Sequence, residues 1–83
     1  MRVEFDVCID TIERVKKFAD YAMKAEKSEI LVKSPTRILD GKSILSLFSL
    51  DITKVLKCVI KSDSETDIDT FYHALERDNM LVV

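Results

Sequence analysis

Few side chains in this sequence are placed to carry covalent chemistry. Its two cysteines, Cys8 and Cys58, lie fifty residues apart without Cys-x-x-Cys spacing, in apolar runs that read as strands. The expected reading is two buried, reduced thiols; a disulfide between adjacent strands is the alternative, with redox function behind both. The single histidine, His73, has no Cys or His near it in sequence. It falls on the polar side of an Ile68-Phe71-Leu75 stripe and reads as solvated surface. With one glycine, Gly41, and one proline, Pro35, there is no Gly-rich phosphate loop, and no metal-ligand spacing occurs. Two short stretches remain. Asp10-Thr11-Ile12-Glu13-Arg14-Val15 puts acids and a cation where a helix should begin. Asp10 and Glu13 have capping-box spacing, with Thr11 a rival cap, and acids favour the positive end of a helix dipole. Ser43 also opens a helical stretch. On its residues alone it reads as an N-cap worth about 1 kcal/mol.

The elements that position these residues follow from periodicity. Residues 2–9 alternate, with Val3, Phe5, Val7 and Ile9 on one side and Arg2, Glu4 and Asp6 on the other, which is a half-buried strand. A helix is predicted over about 11–26, with Ile12, Val15, Phe18, Ala19, Ala22 and Met23 on its core face. Residues 29–34 form a second strand. Pro35-Thr36 turns the chain, because proline fixes its own φ and pushes Ser34 toward extended geometry. Residues 36–39 form a short third strand ended by Asp40-Gly41. Residues 42–50 suit a short helix. Residues 55–61 alternate again, with Leu56, Cys58 and Ile60 on one side. Ser64 or Thr66 then caps a last helix to about Asp78, with Ile68, Phe71, Tyr72 and Leu75 facing the core. The apolar tail, Met80 to Val83, is expected to dock as a short strand. The order β-α-β-β-α-β-α predicts an α+β open-faced sandwich: an antiparallel sheet with helices on one face.

Eighty-three residues, 1–83, are expected to make one domain. Thirteen basic side chains against fifteen acidic ones leave a net charge of −2, without the basic excess that nucleic-acid binding requires. The first residues carry Glu4 and Asp6 and no long apolar run, so neither a signal peptide nor a membrane span is expected, and the cytoplasm is the default location.

The stretch Lys42-Ser43-Ile44-Leu45-Ser46-Leu47-Phe48-Ser49-Leu50 resembles the second-helix signature of HPr, the phosphocarrier family of the bacterial phosphoenolpyruvate-dependent sugar phosphotransferase system. That signature reads K-S-I, a few apolar residues, then S-L-G-I. Ser46 stands at a usual glycine, Phe48 at a usual methionine, and Asp51 at the glycine of S-L-G-I. Lys57-Cys58-Val59-Ile60 is similar to the family's fourth strand, and the element order matches over nearly the whole chain.

The resemblance implies an HPr fold, but it fails where the family does its chemistry. HPr carries its phosphoryl-accepting histidine in a G-[IL]-H-A-R-P-A motif at the start of the first helix. Counting back from Lys42-Ser43 without gaps puts Ile12 at the histidine and Arg14 at the arginine, and the motif's Gly, His, Ala and Pro are gone. Ile12 has no nucleophile. A one-residue slip offers only Thr11, whose phosphate monoester would not transfer readily. Ser43 matches a serine that a dedicated kinase phosphorylates in many Gram-positive relatives; a phosphate there would meet free backbone N–H groups and the helix dipole, with Lys42 supplying a cation. One branch of the family lacks the histidine while keeping that serine. The expectation is therefore a non-enzymatic regulatory or protein-binding module. It needs no cofactor or metal, binds no nucleic acid or membrane, and contacts phosphotransferase-system or regulatory proteins through Arg14, Ile44, Leu45, Leu47 and Phe48. Ile44 and Phe48 are assigned to one face of the helix and Leu47 and Leu50 to another, with either pair outward. Two alternatives stand beside it: a phosphotransfer component with an unusual acceptor, and a self-associating structural domain. The chain is expected to be a monomer or a weak homodimer.

Overall fold

A computed structural model describes residues 1–82. In chain order the elements are β1 (Arg2–Val7), α1 (Ile12–Lys24), β2 (Ser28–Lys33), β3 (Ile38–Asp40), α2 (Ile44–Phe48), β4 (Leu56–Ser62) and α3 (Glu65–Arg77). The four strands form one sheet in the order β1-β4-β2-β3, every pair antiparallel. This is the α+β arrangement the sequence pattern predicts.

Register shows how the alternation builds two unlike faces. Phe5, Cys58, Val32 and Leu39 lie side by side across the sheet, as do Val3, Ile60 and Ile30. This face receives the helices: Phe5 packs on Phe71 and edge-on against Tyr72 of α3, and Phe71 meets Phe18 of α1 edge-on at 5.5 Å. Such tilted and edge-on pairs suit the aromatic quadrupole. The opposite face carries Arg2, Lys61 and Glu29 in one row and Asp6, Lys57 and Lys33 in another. Surface ion pairs lace it, including Lys57–Asp6 at 3.5 Å and Lys61–Glu29 at 3.7 Å. Val59 sits between those rows yet is fully buried, consistent with lysine and arginine stems lying over apolar surface.

Several expectations need correcting. Ile12 and Met23 are not core residues of α1 but are 63% and 60% exposed. The buried stripe is Val15, Phe18, Ala19 and Ala22. Ile12 and Met23, about three turns apart, share a flank of that stripe rather than its centre. Tyr72 lies at the rim of the core, not within it. β1 ends at Val7, β2 spans 28–33, β3 is shifted to 38–40, and α2 is only five residues long. The two cysteines are free; Cys58 is buried, whereas Cys8, past the end of β1, is half-buried. In the register Cys58 lies opposite Phe5 on the helix-covered face, which does not bring it to Cys8.

The tail docks, though by a bridge rather than a full strand. Asn79, with φ 58°, reverses the chain after α3, and the Met80 N–H donates to Leu75 O at 2.9 Å, satisfying an end-of-helix carbonyl. Met80 is buried, Leu81 bridges to Val7, and the Val82 N–H donates to Asp6 O. Val83 lies outside the described residues.

Candidate functional site

The two helix starts singled out by the sequence are built differently. At α1, Thr11 is the N-cap: its backbone is extended and its Oγ1 accepts from the Arg14 N–H at 3.1 Å. This settles the capping between Asp10 and Thr11 in favour of Thr11. Asp10 instead pairs with Arg14, Oδ1 to Nη1 at 3.5 Å, and the same Nη1 reaches the Cys8 carbonyl at 3.5 Å. The guanidinium is thus half-buried and folded back on the loop before the helix. Glu13 pairs with Lys17 at 3.6 Å. The first turn therefore presents an apolar side chain, Ile12, flanked by committed charges.

At α2, Ser43 is the N-cap, its Oγ accepting from the Ser46 N–H at 3.3 Å, and its own N–H donates to Asp40 O. The side chain is only half-buried. Lys42, expected beside it as a free cation, is turned away. Its ammonium donates to the carbonyls of Ala25, the C-cap of α1, at 2.8 Å and of Ser28, the first residue of β2, at 2.7 Å. The C-terminal end of α1 carries the negative pole of the helix dipole, and a charged donor between two carbonyls makes a strong anchor. Gly41 lies directly before it. Its N–H donates to Ile30 O at 2.7 Å, and a Cβ there would meet Ile30 Cγ2 at 2.6 Å. The chain passes so close to β2 that only glycine fits without displacement.

This anchoring fixes which face of α2 points out. Leu47 is fully buried and Leu50 is 7% exposed, so both belong to the core. Leu47 is therefore corrected from a candidate contact residue to a structural one. Ile44 is half-buried and packs against the core edge. Leu45, 81% exposed, and Phe48, 40% exposed, face solvent. A five-residue helix cannot bury four large apolar side chains on one side, and two are left outside.

The remaining candidates stay scattered. His73 is exposed on α3, with Nδ1 3.3 Å from Glu76 Oε1. Burial pushes the Cys58 thiol far up, so it offers no thiolate. Among the described residues no group of three His, Cys, Asp or Glu side chains is placed to hold a metal ion. No helix among the described residues is long and apolar enough to cross a membrane. Sequence reasoning did not foresee the Lys42 anchor, since a lysine beside a serine carries no sign of where its ammonium goes. The lone glycine before it was the available signal.

No protein-family model matches the chain, and no characterised protein matches it in sequence. Solved structures do. The histidine-containing phosphocarrier protein of Mycoplasma superposes with a TM-score of 0.70 at 16% identity, covering 98% of this chain and 100% of that one. HPr-C-His from Thermoanaerobacter tengcongensis gives 0.68 at 23% identity, covering 92% of this chain and 91% of that one. The fold is that of HPr.

Proposed function

We propose that this protein is an HPr-like protein-binding module of the phosphotransferase-system family that works by contact rather than as a histidine phosphocarrier. The observation that carries the reading is α2: a helix anchored beneath by Leu47, Lys42 and Gly41 that turns Leu45 and Phe48 to solvent. Apolar side chains held outward on a braced element are the usual mark of a contact surface. Two observations support the absence of phosphocarrier chemistry. The chain's one histidine lies on α3, and the first turn of α1 offers Ile12 at the position where the resemblance to HPr implies the phosphoryl-accepting histidine.

In this reading the partners are phosphotransferase-system or regulatory proteins of the cytoplasm. Arg14 of α1 joins Ile44, Leu45 and Phe48 in the contact. Ser43 is the regulatory position. Its hydroxyl already caps α2, so a phosphate would replace the cap and meet the same N–H groups, without help from the committed Lys42.

The test is an amide-shift titration of the isotopically labelled protein with a purified general phosphotransferase enzyme. The expected result is perturbation centred on residues 43–49 and 11–14, lost in Phe48→Asp. Perturbation confined to the opposite sheet face, or no binding, would overturn the reading. The solution mass of the same two proteins separates this from self-association, which predicts a dimer that Phe48→Asp dissociates.

A further inference from the structure

A second surface lies at the end of the sheet that holds the β2–β3 turn. The turn over 34–37 and the loop over 49–56 enclose an open cleft of about 600 Å³. Its floor is apolar, made by the buried Leu50 and Leu56, and Pro35 and the exposed Val55 form the walls. None of Ile12, Leu45 or Phe48 lines it.

The rim is cationic. Arg37 donates one Nη1 N–H to the Ser49 carbonyl at 3.0 Å, which spans the mouth and holds the guanidinium in place with its other N–H groups unused. Lys54 stands on the opposite loop. Among the described residues neither Arg37 nor Lys54 has a carboxylate within 4.0 Å, and neither does Lys33 at the adjoining end of β2. The one acid in the lining, Asp51, is engaged by its own turn. It accepts from the Thr53 N–H at 3.1 Å and from the Thr53 hydroxyl at 2.5 Å, which holds its carboxyl below the usual range. On a chain of net charge −2, seven of the thirteen lysines and arginines have a carboxylate within 4.0 Å among the described residues, and of the six without one, Arg37 and Lys54 line this apolar floor and Lys33 adjoins it.

We infer that this cleft docks an extended acidic segment of a partner protein, seating one apolar side chain over Leu50, Val55 and Leu56 while flanking carboxylates engage Arg37 and Lys54. The open side argues for a segment carried on a larger surface. Pockets for free small molecules enclose most of their ligand, whereas here Pro35, Arg37, Lys54 and Val55 all remain exposed. Arginine on the rim suits carboxylate recognition by its paired N–H groups.

The experiment is an amide-shift titration with three probes. These are a blocked pentapeptide of one leucine between two pairs of glutamates, its counterpart with lysines for glutamates, and N-acetyl-leucine as the free small molecule. The acidic peptide is expected to perturb residues 34–37 and 50–56 saturably, and the basic peptide to leave them unmoved. Arg37→Gln combined with Lys54→Gln should weaken binding about tenfold or more. Both positions are exposed, so an unchanged amide spectrum elsewhere confirms the fold, and Val55→Lys serves as an independent block of the apolar contact. Equal response to the basic peptide, tight binding of N-acetyl-leucine alone, or no saturable shift with the acidic peptide each overturns the inference. None of these outcomes bears on α2, so failure here is distinguishable from failure of the contact surface on that helix.

Discussion

The starts of α1 and α2 share a cap and a buried fourth residue, Val15 and Leu47, and differ in what else ties them to the fold. Each is capped by a hydroxyl accepting from the N–H three residues on, Thr11 to Arg14 and Ser43 to Ser46. Beneath α2 the chain is pinned three ways: Gly41 against Ile30, the Lys42 ammonium between two carbonyls, and Leu47 in the core. The first turn of α1 likewise buries its fourth residue, Val15, but its Arg14 ties back only to the preceding loop, at Asp10 and the Cys8 carbonyl, and Ile12 faces solvent. The α2 start is thus pinned to β2 and to the turn after α1, whereas the α1 start is tied back to its own preceding loop.

This contrast is open to measurement. Leu47→Ala should have the largest effect, about 2–5 kcal/mol of lost stability in urea unfolding, because the site is fully closed and a cavity remains. An effect no larger than that of an exposed change would break the comparison. Next comes Lys42→Met, expected to cost about 1–3 kcal/mol by removing the charged donor shared by the Ala25 and Ser28 carbonyls. Exchange protection of the amides around α2 should fall with it. The two caps should then prove alike: Thr11→Ala and Ser43→Ala each cost about 1 kcal/mol, since the capping geometry is a feature the two starts share. The smallest effect is expected for Ile12→Ser, within about 0.5 kcal/mol of the parent. That substitution alters what α1 presents without altering what holds it.

The fold was largely legible because its signals are periodic. Alternation at 2–9 and 55–61 named two strands that the fold forms at 2–7 and 56–62, and the Val15-Phe18-Ala22 spacing named the buried stripe of α1. The errors came where periodicity underdetermines burial. Ile12 and Met23 lie on the flank of an apolar stripe, and composition cannot say how far a shallow sheet reaches around a helix. α2 was legible as a helix but not as to face. Its five residues complete little more than one turn, so Leu47 and Leu50 were chosen over Leu45 and Phe48 by the anchors at Gly41 and Lys42. Those anchors depend on contacts with β2 and the end of α1, distant enough in sequence to leave no local pattern. The cleft between 34–37 and 49–56 was illegible for the same reason: its two walls meet only through the fold.

The function proposed above requires that this HPr fold carry no phosphate on histidine. The direct measurement is incubation of the purified protein with phosphoenolpyruvate and a general phosphotransferase enzyme, followed by mass spectrometry under neutral and acidic conditions. No acid-labile phosphate is expected on any residue. Stoichiometric phosphohistidine, which could form only at His73 on α3, would contradict it.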